Sequence, residues 1–215
     1  MKKKLLIAIP AYNEEIGIKD IILKCKKISD VIVVNDGSRD KTGYLAKKYG
    51  AKVINHKTNN GYDEAINSAV KFFLRSNYSK IIFLDADGDH PIKDIKRFNN
   101  YLNNYDLVCG VRKNIYRLGE RFFIFFSYLR WKLKDPLCGM KAYNHYFLKT
   151  VYKKMKFKSI HTEYLIKASK KKFKIKEVKI NNKPRIFNAR FGSGFSTNLY
   201  IIFTFFKCLF LINSK

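Results

Sequence analysis

The sequence predicts an α/β fold built on a mostly parallel sheet flanked by helices, and two observations support this. Over the first 110 residues, short apolar runs of strand length alternate with amphipathic stretches of helical length, which is typical of repeated strand–helix–strand units. The apolar runs are continuous rather than alternating with polar residues, as expected for strands that are buried on both faces. In such a sheet, ligands bind beyond the carboxyl ends of the strands.

Five strands and four helices are predicted in this first part of the chain. The strands are Leu5–Ile9, Val31–Val34, Lys52–Ile54, Ile81–Leu84 and Leu107–Val108, and the helices are Glu15–Ile28, Lys41–Tyr49, Asp63–Arg75 and Ile92–Asn103. The second part is less regular, with strands at Met140–Tyr143 and Ile175–Ile180, a helix at Glu163–Lys172 and a loop over residues 181–194. A length of 215 residues suits one domain with a sizeable core.

The charge balance is unusual. The chain carries 44 Lys and Arg against 17 Asp and Glu, a formal net charge of +27. The excess is uneven, since residues 1–100 hold 19 basic and 12 acidic side chains whereas residues 101–215 hold 25 and 5. A surface this basic attracts nucleic acid, anionic lipid headgroups or phosphorylated substrates, although lysines can also serve only to solubilise a fold.

The four cysteines are widely separated, and no histidine cluster accompanies them. Neither a zinc site nor a disulfide framework is therefore expected, and reduced thiols indicate a cytoplasmic protein. The first apolar run, Leu5–Ile9, is too short for the core of a signal peptide and suits a first strand.

Polar residues follow four of the predicted strands. Residues 10–15, 35–40, 59–61 and 85–91 place carboxylates, amides and glycines along one edge of the sheet. The sharpest chemical signal among them is three carboxylates in five residues, at Asp85, Asp87 and Asp89. These groups repel one another unless a cation lies among them, and hard cations such as Mg²⁺ and Mn²⁺ prefer oxygen ligands. The alternative is a solvated acidic turn that caps the helix after Pro91.

Two common nucleotide-binding patterns are absent from the sequence. No P-loop is present, and no dinucleotide-binding glycine pattern follows the first strand. Because a Mg²⁺ ion held by a few carboxylates usually has phosphate as its other partner, the pattern favours a nucleoside diphosphate bound chiefly through its metal.

Six short motifs occur in order along the chain. They are PAYNEE at 10–15, NDGSRDKT at 35–42, NNG at 59–61, DADGDHP at 85–91, GVR at 110–112 and DPLCGMKAY at 135–143. This set resembles the family 2 glycosyltransferases of the GT-A fold, a Rossmann-like nucleotide-sugar-binding fold. Within that family it is most similar to the dolichyl-phosphate mannosyltransferase and polyprenyl-phosphate glycosyltransferase group. The resemblance covers about residues 4–195.

The resemblance implies donor-site roles for individual positions. Pro10, Tyr12, Asn13 and Glu14 would line the base and ribose, Asp36 would accept a hydrogen bond from the base, and Gly61, Ala86 and Arg190 would complete the donor site. Asp85 and Asp87 would form the DxD pair, with Asp87 on the metal and Asp85 on the ribose or the metal. Asp89 stands where the lipid-phosphate group often has Gln, and it would add negative charge beside the Mg²⁺ or Mn²⁺.

The resemblance also implies roles in catalysis and acceptor binding. Arg112 and Arg190 would contact the donor diphosphate or the acceptor phosphate. The excess of basic residues in the second half of the chain separately suggests that Arg117, Arg121 and Arg130, together with Arg112, would hold an anionic acceptor. Asp135 is the candidate general base if the acceptor is a sugar hydroxyl, and its alternative role is to brace the loop that it opens. A lipid-phosphate acceptor is already an anion and requires no base.

The function that these motifs imply is a metal-dependent inverting transfer of a hexose from a GDP- or UDP-linked donor to polyprenyl phosphate, at the cytoplasmic face of a membrane. Residues 1–112 would form the nucleotide-sugar half of a domain spanning 1–195, and residues 113–195 the acceptor half. The same chemistry with a saccharide acceptor is the first alternative. A basic protein that binds nucleic acid or a membrane surface is the second, but its carboxylate loops would repel phosphate, so no nucleic-acid partner is expected.

Two segments suit a membrane surface. Phe122–Trp131 is aromatic and flanked by basic residues, the composition of a helix that lies in the interface, although a core helix is the alternative. Leu199–Ile212, within an apolar C-terminal helix at 196–215, would reach about 21 Å, short of a hydrocarbon core of roughly 30 Å. Peripheral association is therefore expected, and the same apolar surfaces could instead form a homo-oligomer.

Overall fold

The computed structural model describes residues 5–88, 90–152, 159–182 and 195–213, and within the last range the side chains of residues 198–209. The strands are β1 Leu5–Ala11, β2 Asp30–Asn35, β3 Lys52–Asn55, β4 Lys80–Phe83, β5 Leu107–Arg112, β6 Lys141–Asn144 and β7 Ile175–Ile180. The helices are α1 Ile18–Lys26, α2 Thr42–Lys48, α3 Tyr62–Arg75, α4 Ile95–Tyr101, α5 Leu118–Trp131, α6 His145–Val151, α7 Ile160–Lys170 and α8 Phe195–Asn213, with a 3-10 turn at Ile92–Asp94 before α4.

The strands form a seven-stranded sheet in the order β3-β2-β1-β4-β6-β5-β7. The pairs β1–β2, β1–β4, β2–β3 and β5–β7 are parallel, which confirms the predicted mostly parallel α/β fold. β6 is the exception, since it runs antiparallel to both β4 and β5. Phe83 at the end of β4 pairs with Lys141 at the start of β6, so the loop that precedes β6 lies at the carboxyl end of β4.

The sheet is buried as the apolar runs predict. All seven residues of β1 are buried, as are five of the six in β2. α3 buries one apolar face, with Ala65, Ile66, Ala69, Val70 and Phe73. The four cysteines are free and buried.

Some boundaries differ from the expectation for identifiable reasons. α1 begins at Ile18 rather than Glu15, because residues 14–17 form a turn in which the Glu14 carbonyl accepts from the N–H groups of Gly17 and Ile18. β5 extends to Arg112, so this arginine ends the strand instead of following it. α6 was not predicted, and its start is capped by the Asn144 side chain, which accepts from the Phe147 N–H at 2.7 Å.

α5 and α8 pack against each other through aromatic rings. Phe123 and Trp131 of α5 place their rings 5.2 and 5.8 Å from the ring of Phe205 of α8. Near the start of α5, the Gly119 N–H donates to the Asn198 side chain at 2.8 Å. Over the described ranges, the structure contains no helix with the length and apolarity needed to span a bilayer.

Candidate active site

The loops after β1 and β2 hold each other through side-chain to backbone hydrogen bonds. The Asn13 side chain accepts from the Arg39 N–H at 2.9 Å, and the Asn13 N–H donates to Ser38 at 3.0 Å. The Glu14 N–H donates to Thr42 at 2.7 Å. Asn13 has a positive φ of 52°, a conformation that asparagine tolerates better than most residues. The predicted donor residues therefore lie in a braced loop pair at the sheet edge.

The other members of the predicted first loop lie beside them. Pro10 is buried within β1, while Tyr12 and Glu14 are half-buried and Asn13 is exposed. Asn13 is therefore hydrogen-bonded to the neighbouring loop and also lies at the surface. Its predicted contact with base or ribose stays a prediction.

Asp36 is buried at the end of β2, and its carboxylate organises the third loop. One oxygen accepts from the Asn60 N–H at 3.0 Å and meets His56 Nδ1 at 2.6 Å, and the other accepts from the Gly61 N–H at 2.8 Å. His56 is held in turn by Ser68, at 2.9 Å from Nε2. The carboxylate predicted to read the base thus also anchors the NNG loop to the strand.

Two of the three predicted metal ligands are described. Asp85 and Asp87 follow β4 and are partly exposed, while Asp89 lies outside the described residues. Asp85 accepts a hydrogen bond from the Tyr62 hydroxyl at 2.9 Å, and its own N–H donates to His90 Nδ1 at 3.2 Å. Ala86, between the two carboxylates, is buried. The side chains around Asp85 thus fix its position before any ligand binds.

Gly139 leaves the space that the Asp85 carboxylate occupies. A Cβ atom at this glycine would lie 2.2 Å from one carboxylate oxygen of Asp85. The contact arises because the antiparallel β6 places its preceding loop beside the end of β4. Neither Gly139 nor Tyr62 was singled out from the sequence. The only signal for Gly139 was its place in the DPLCG motif.

Asp135 lies in a buried ion pair with Arg112. Asp135 is 1% exposed, and its two oxygens accept from Arg112 Nε at 2.8 Å and Nη2 at 3.0 Å. Arg112 Nη1 lies 3.1 Å from Glu120, which also pairs with Arg117 at 3.0 Å. Burial by itself would lower the pKa of Arg112, but the hydrogen bonds and negative charge of Asp135, with Glu120, raise it above the ordinary value.

This network bears on two expected roles. A carboxylate that is buried and doubly hydrogen-bonded to a guanidinium is poorly placed to take a proton from an acceptor, so the geometry favours the bracing role of Asp135 over the base role. Each of the three guanidinium nitrogens of Arg112 lies within 3.1 Å of a carboxylate oxygen. Arg112 is therefore paired within the protein, and its predicted contact with a phosphate stays a prediction.

The other predicted cations that the structure describes have different partners. Arg117 is paired with Glu120, and Arg121 is exposed, with Nε donating to the Ile115 carbonyl at 3.2 Å. Arg130 lines an apolar groove between α5 and α8. Arg190 lies outside the described residues. The acceptor-binding role of these residues stays a prediction.

A buried lysine is hydrogen-bonded to backbone carbonyls of the DPLCG loop. Lys141 is 1% exposed, and its ammonium group donates to the carbonyls of Pro136, at 3.0 Å, and Cys138. Thr162 of α7 donates to the same Pro136 carbonyl at 3.3 Å. These hydrogen bonds therefore connect the loop that carries Asp135 and Gly139 to β6 and α7. The role of Lys141 was not predicted, although this lysine lies within the DPLCGMKAY motif.

The chain is similar to known proteins over nearly its whole length. A sequence profile of glycosyl transferase family 2 matches residues 6–166. The chain is 29% identical to a dolichyl-phosphate hexose transferase of Haloferax volcanii, over 84% of this chain and 83% of that protein. It is 27% identical to a UDP-N-acetylglucosamine–dolichyl-phosphate N-acetylglucosaminyltransferase of Methanococcus voltae, over 98% of this chain and 96% of that protein.

The fold is also similar to a solved structure. Glucosyl-3-phosphoglycerate synthase of Mycobacterium tuberculosis, in complex with Mn²⁺, UDP and glucosyl-3-phosphoglycerate, matches with a TM-score of 0.76 at 16% identity, over 98% of this chain and 80% of that chain. The predicted resemblance is confirmed by the family profile, which covers most of the chain, and by the seven-stranded fold. The chain is a glycosyltransferase with the GT-A fold and belongs to glycosyl transferase family 2.

Proposed function

We propose that this protein is a metal-dependent inverting glycosyltransferase that moves a hexose from a nucleoside-diphosphate sugar to a polyprenyl phosphate at the cytoplasmic face of a membrane. The observation that carries the acceptor class is the buried Arg112–Asp135 ion pair. A phosphate acceptor is already a nucleophilic anion, so it needs no carboxylate to remove a proton. Both relatives described above carry dolichyl phosphate in their names.

The donor would bind at the edge formed by the loops after β1, β2 and β4. Tyr12 and Glu14 would line the base and ribose, in the loop that the hydrogen bonds of Asn13 hold in place. Asp36 and Gly61 would form the bottom of the donor site beside them. The solved structure of similar fold contains UDP. We therefore take UDP as the first donor class to test, with GDP in parallel.

The carboxylates fit a hard divalent cation. The described residues include no group of three or more His, Cys, Asp or Glu around one point, but Mg²⁺ is commonly bound by one or two carboxylates together with substrate phosphates. Asp87 and Asp85 supply such a pair, and the space that Gly139 leaves admits the Asp85 carboxylate. Bound there, Mg²⁺ or Mn²⁺ would neutralise the negative charge of the diphosphate.

The reaction would be an in-line displacement. A phosphate oxygen of the acceptor forms a bond to the anomeric carbon, while the bond from that carbon to the diphosphate oxygen breaks and the nucleoside diphosphate leaves with the electron pair. The protein's own contribution is to hold the donor in the braced loops and to keep the DPLCG loop rigid through Lys141, Arg112 and Asp135. Positioning of this kind supplies a large share of catalysis in such transfers.

The α5–α8 pair supports a membrane-facing acceptor half. Its outer face exposes large apolar side chains, namely Phe125, Phe126, Leu129, Leu199, Phe203 and Phe206. The cations Arg121, Arg130 and Lys207 lie on the same two helices, and Lys132 directly follows α5. The Lys207 ammonium lies 4.5 Å from the Phe203 ring centroid. Apolar side chains with flanking cations suit an anionic bilayer surface.

Transfer itself is the first test of the proposed function. Incubating the protein with Mn²⁺, radiolabelled UDP- or GDP-hexoses and a polyprenyl phosphate should move label into the lipid, and Asp87→Ala should reduce transfer at least about 100-fold. Asp20→Ala, which removes a carboxylate from α1, is the matched control and should act like the wild type. Label found in an added saccharide instead would favour the alternative acceptor. Asp87→Ala activity equal to the wild type would overturn the proposed donor site.

Vesicle flotation tests the membrane proposal. Phe125 and Phe203 are 59% and 58% exposed, so Phe125→Glu with Phe203→Glu should keep the fold. Each lost phenyl group is worth about 2 kcal/mol of burial, so binding to vesicles with anionic lipid should weaken at least tenfold. Tyr44→Glu with Tyr146→Glu changes the charge equally, at side chains that are 64% and 67% exposed, and should change binding less. The alternative is that the exposed apolar face of α5 and α8 forms a dimer contact. In that case neither double variant would change flotation, and only Phe125→Glu with Phe203→Glu would abolish self-association of the protein.

A further inference from the structure

We propose that Tyr62 is a positioning residue of the donor site, which holds the Asp85 carboxylate in the orientation that the metal–nucleotide complex requires. The inference rests on the proposed function, since it assigns a role to Tyr62 within that same site. Tyr62 lies 23 residues before Asp85 in sequence and on a different element, and its hydroxyl donates to the aspartate at 2.9 Å.

The Asp85 carboxylate is confined from two sides. One oxygen accepts from Tyr62, while the other lies where a side chain at residue 139 would begin, 2.2 Å from the Cβ position of Gly139. The Asp85 side chain is still 20% exposed, so a ligand can reach it. A carboxylate held by a hydrogen bond on one side and by backbone on the other keeps its rotamer without a bound cation.

The phenol itself is positioned by the end of β2. Tyr62 is the first residue of α3, and the N–H groups of the two preceding residues, Asn60 and Gly61, both donate to Asp36. Gly61 has a φ of 91°, which side-chain-bearing residues rarely adopt. The start of α3 is therefore hydrogen-bonded to the residue that follows β2. Tyr62, at this start, is hydrogen-bonded in turn to Asp85, which follows β4.

The ring of Tyr62 is also supported by α7. The His161 ring stands edge-on to it, with the two centroids 6.1 Å apart, and His161 Nδ1 is hydrogen-bonded to the Tyr143 hydroxyl at 2.7 Å. Burial lowers the pKa of His161 well below its ordinary value, so this support is a neutral ring at working pH. With the ring held in this way, the hydroxyl is the one part of Tyr62 whose removal leaves the packing unchanged.

Removing the hydroxyl should therefore act on metal binding rather than on folding. Groups that orient a metal-binding carboxylate through a hydrogen bond typically contribute 10- to 100-fold in metal affinity. We expect Tyr62→Phe to weaken Mn²⁺ binding in the presence of saturating UDP by about tenfold. Binding of UDP without metal should be unchanged, because the Tyr62 hydroxyl would act on the metal through the Asp85 carboxylate to which it donates.

The test is a titration of the 215-residue chain and UDP with Mn²⁺, followed by the electron paramagnetic resonance signal of the free ion. The midpoint should rise about tenfold in Tyr62→Phe and stay at the wild-type value in Tyr44→Phe, a matched change on α2 at a residue that is 64% exposed. In an Asp85→Asn background, Tyr62→Phe should have no further effect, since the residue it acts through is gone.

The outcomes separate the inference from the proposed function. If the wild type binds Mn²⁺ with UDP and Tyr62→Phe has the same midpoint, Tyr62 is not a positioning residue. An equal loss in the Asp85→Asn background would also overturn the inference, because Tyr62 would then act by another route. Absence of Mn²⁺–UDP binding by the wild type would overturn the proposed donor site, and the inference with it.

Discussion

Replacing Gly139 with alanine is expected to reduce sugar transfer by about 100-fold while leaving the protein folded. The new Cβ would lie 2.2 Å from a carboxylate oxygen of Asp85, far closer than atoms can approach. Gly139 is not among the glycines with positive φ, so alanine fits the backbone there. The strain is relieved when the Asp85 side chain swings away, which displaces a carboxylate of the DAD motif. A displacement of about 1 Å at a reacting site can cost 100-fold in rate.

The control for this prediction is a glycine close to the same motif. A Cβ at Gly17 would lie 3.6 Å from the Ala86 carbonyl oxygen, an ordinary contact. Gly17→Ala should therefore transfer sugar at close to the wild-type rate. Thermal unfolding should show similar midpoints for both variants, and Mn²⁺-dependent UDP binding should be lost only in Gly139→Ala. Equal transfer by the two variants would show that the position of Asp85 does not matter.

Among the substitutions proposed for this protein, Asp135→Asn is expected to produce the largest loss of stability. It removes the negative charge that faces the Arg112 guanidinium, which is 13% exposed, and replaces one of the two oxygens that accept its hydrogen bonds with an NH2 group. Removing one partner of a buried ion pair costs about 3–5 kcal/mol. In a chain of this size each kcal/mol lowers the melting temperature by about 2–4 °C, so a decrease on the order of 10 °C is expected by calorimetry.

An exposed ion pair provides the comparison for this variant. Glu64 and Lys71 are 3.7 Å apart, with side chains 44% and 49% exposed. Glu64→Gln should change stability by no more than about 0.5 kcal/mol, as is usual for exposed pairs. A decrease in melting temperature for Asp135→Asn no larger than that for Glu64→Gln would mean that the Arg112 network does not stabilise the fold.

The Asp135→Asn variant also distinguishes the two roles considered for Asp135, general base and brace of the loop. Loss of a general base typically costs 100- to 10,000-fold in rate. If Asp135 only braces the loop, transfer to polyprenyl phosphate at a temperature where the variant is folded should fall by less than about tenfold, with an unchanged pH profile. A loss of 100-fold or more in folded protein would restore the base role and favour the saccharide acceptor.

Much of the framework could be predicted from local pattern. Continuous apolar runs such as Leu5–Ile9 are buried because no other environment is favourable for them, and their alternation with helical stretches indicates parallel strands. The location of Asp85 and Asp87 at the ligand-binding edge of the sheet could be predicted in the same way, because both residues come directly after such a run. Family membership required only the order of six short motifs, which is a property of the sequence.

The contacts that build the site depended on tertiary structure, because they join residues that are distant in sequence. Asp135 and Arg112 are 23 residues apart, Asp36 and Gly61 are 25 apart, and Tyr62 and Asp85 are 23 apart. The sequence contains each of these residues but not the hydrogen bonds between them. Roles assigned to Arg112 and Asp135 one at a time therefore missed that each is the other's partner.

Local sequence pattern is enough to predict that this chain forms an α/β sheet with acidic and amide-rich loops at one edge, because strand burial and loop polarity are local properties. Which of those polar groups bind to one another depends on the fold, because the partners are distant in sequence. The antiparallel direction of β6 is the physical reason for much of this. By reversing the chain beside β4, it brings Gly139 against Asp85, and the loop it places there also carries Asp135 to the end of β5.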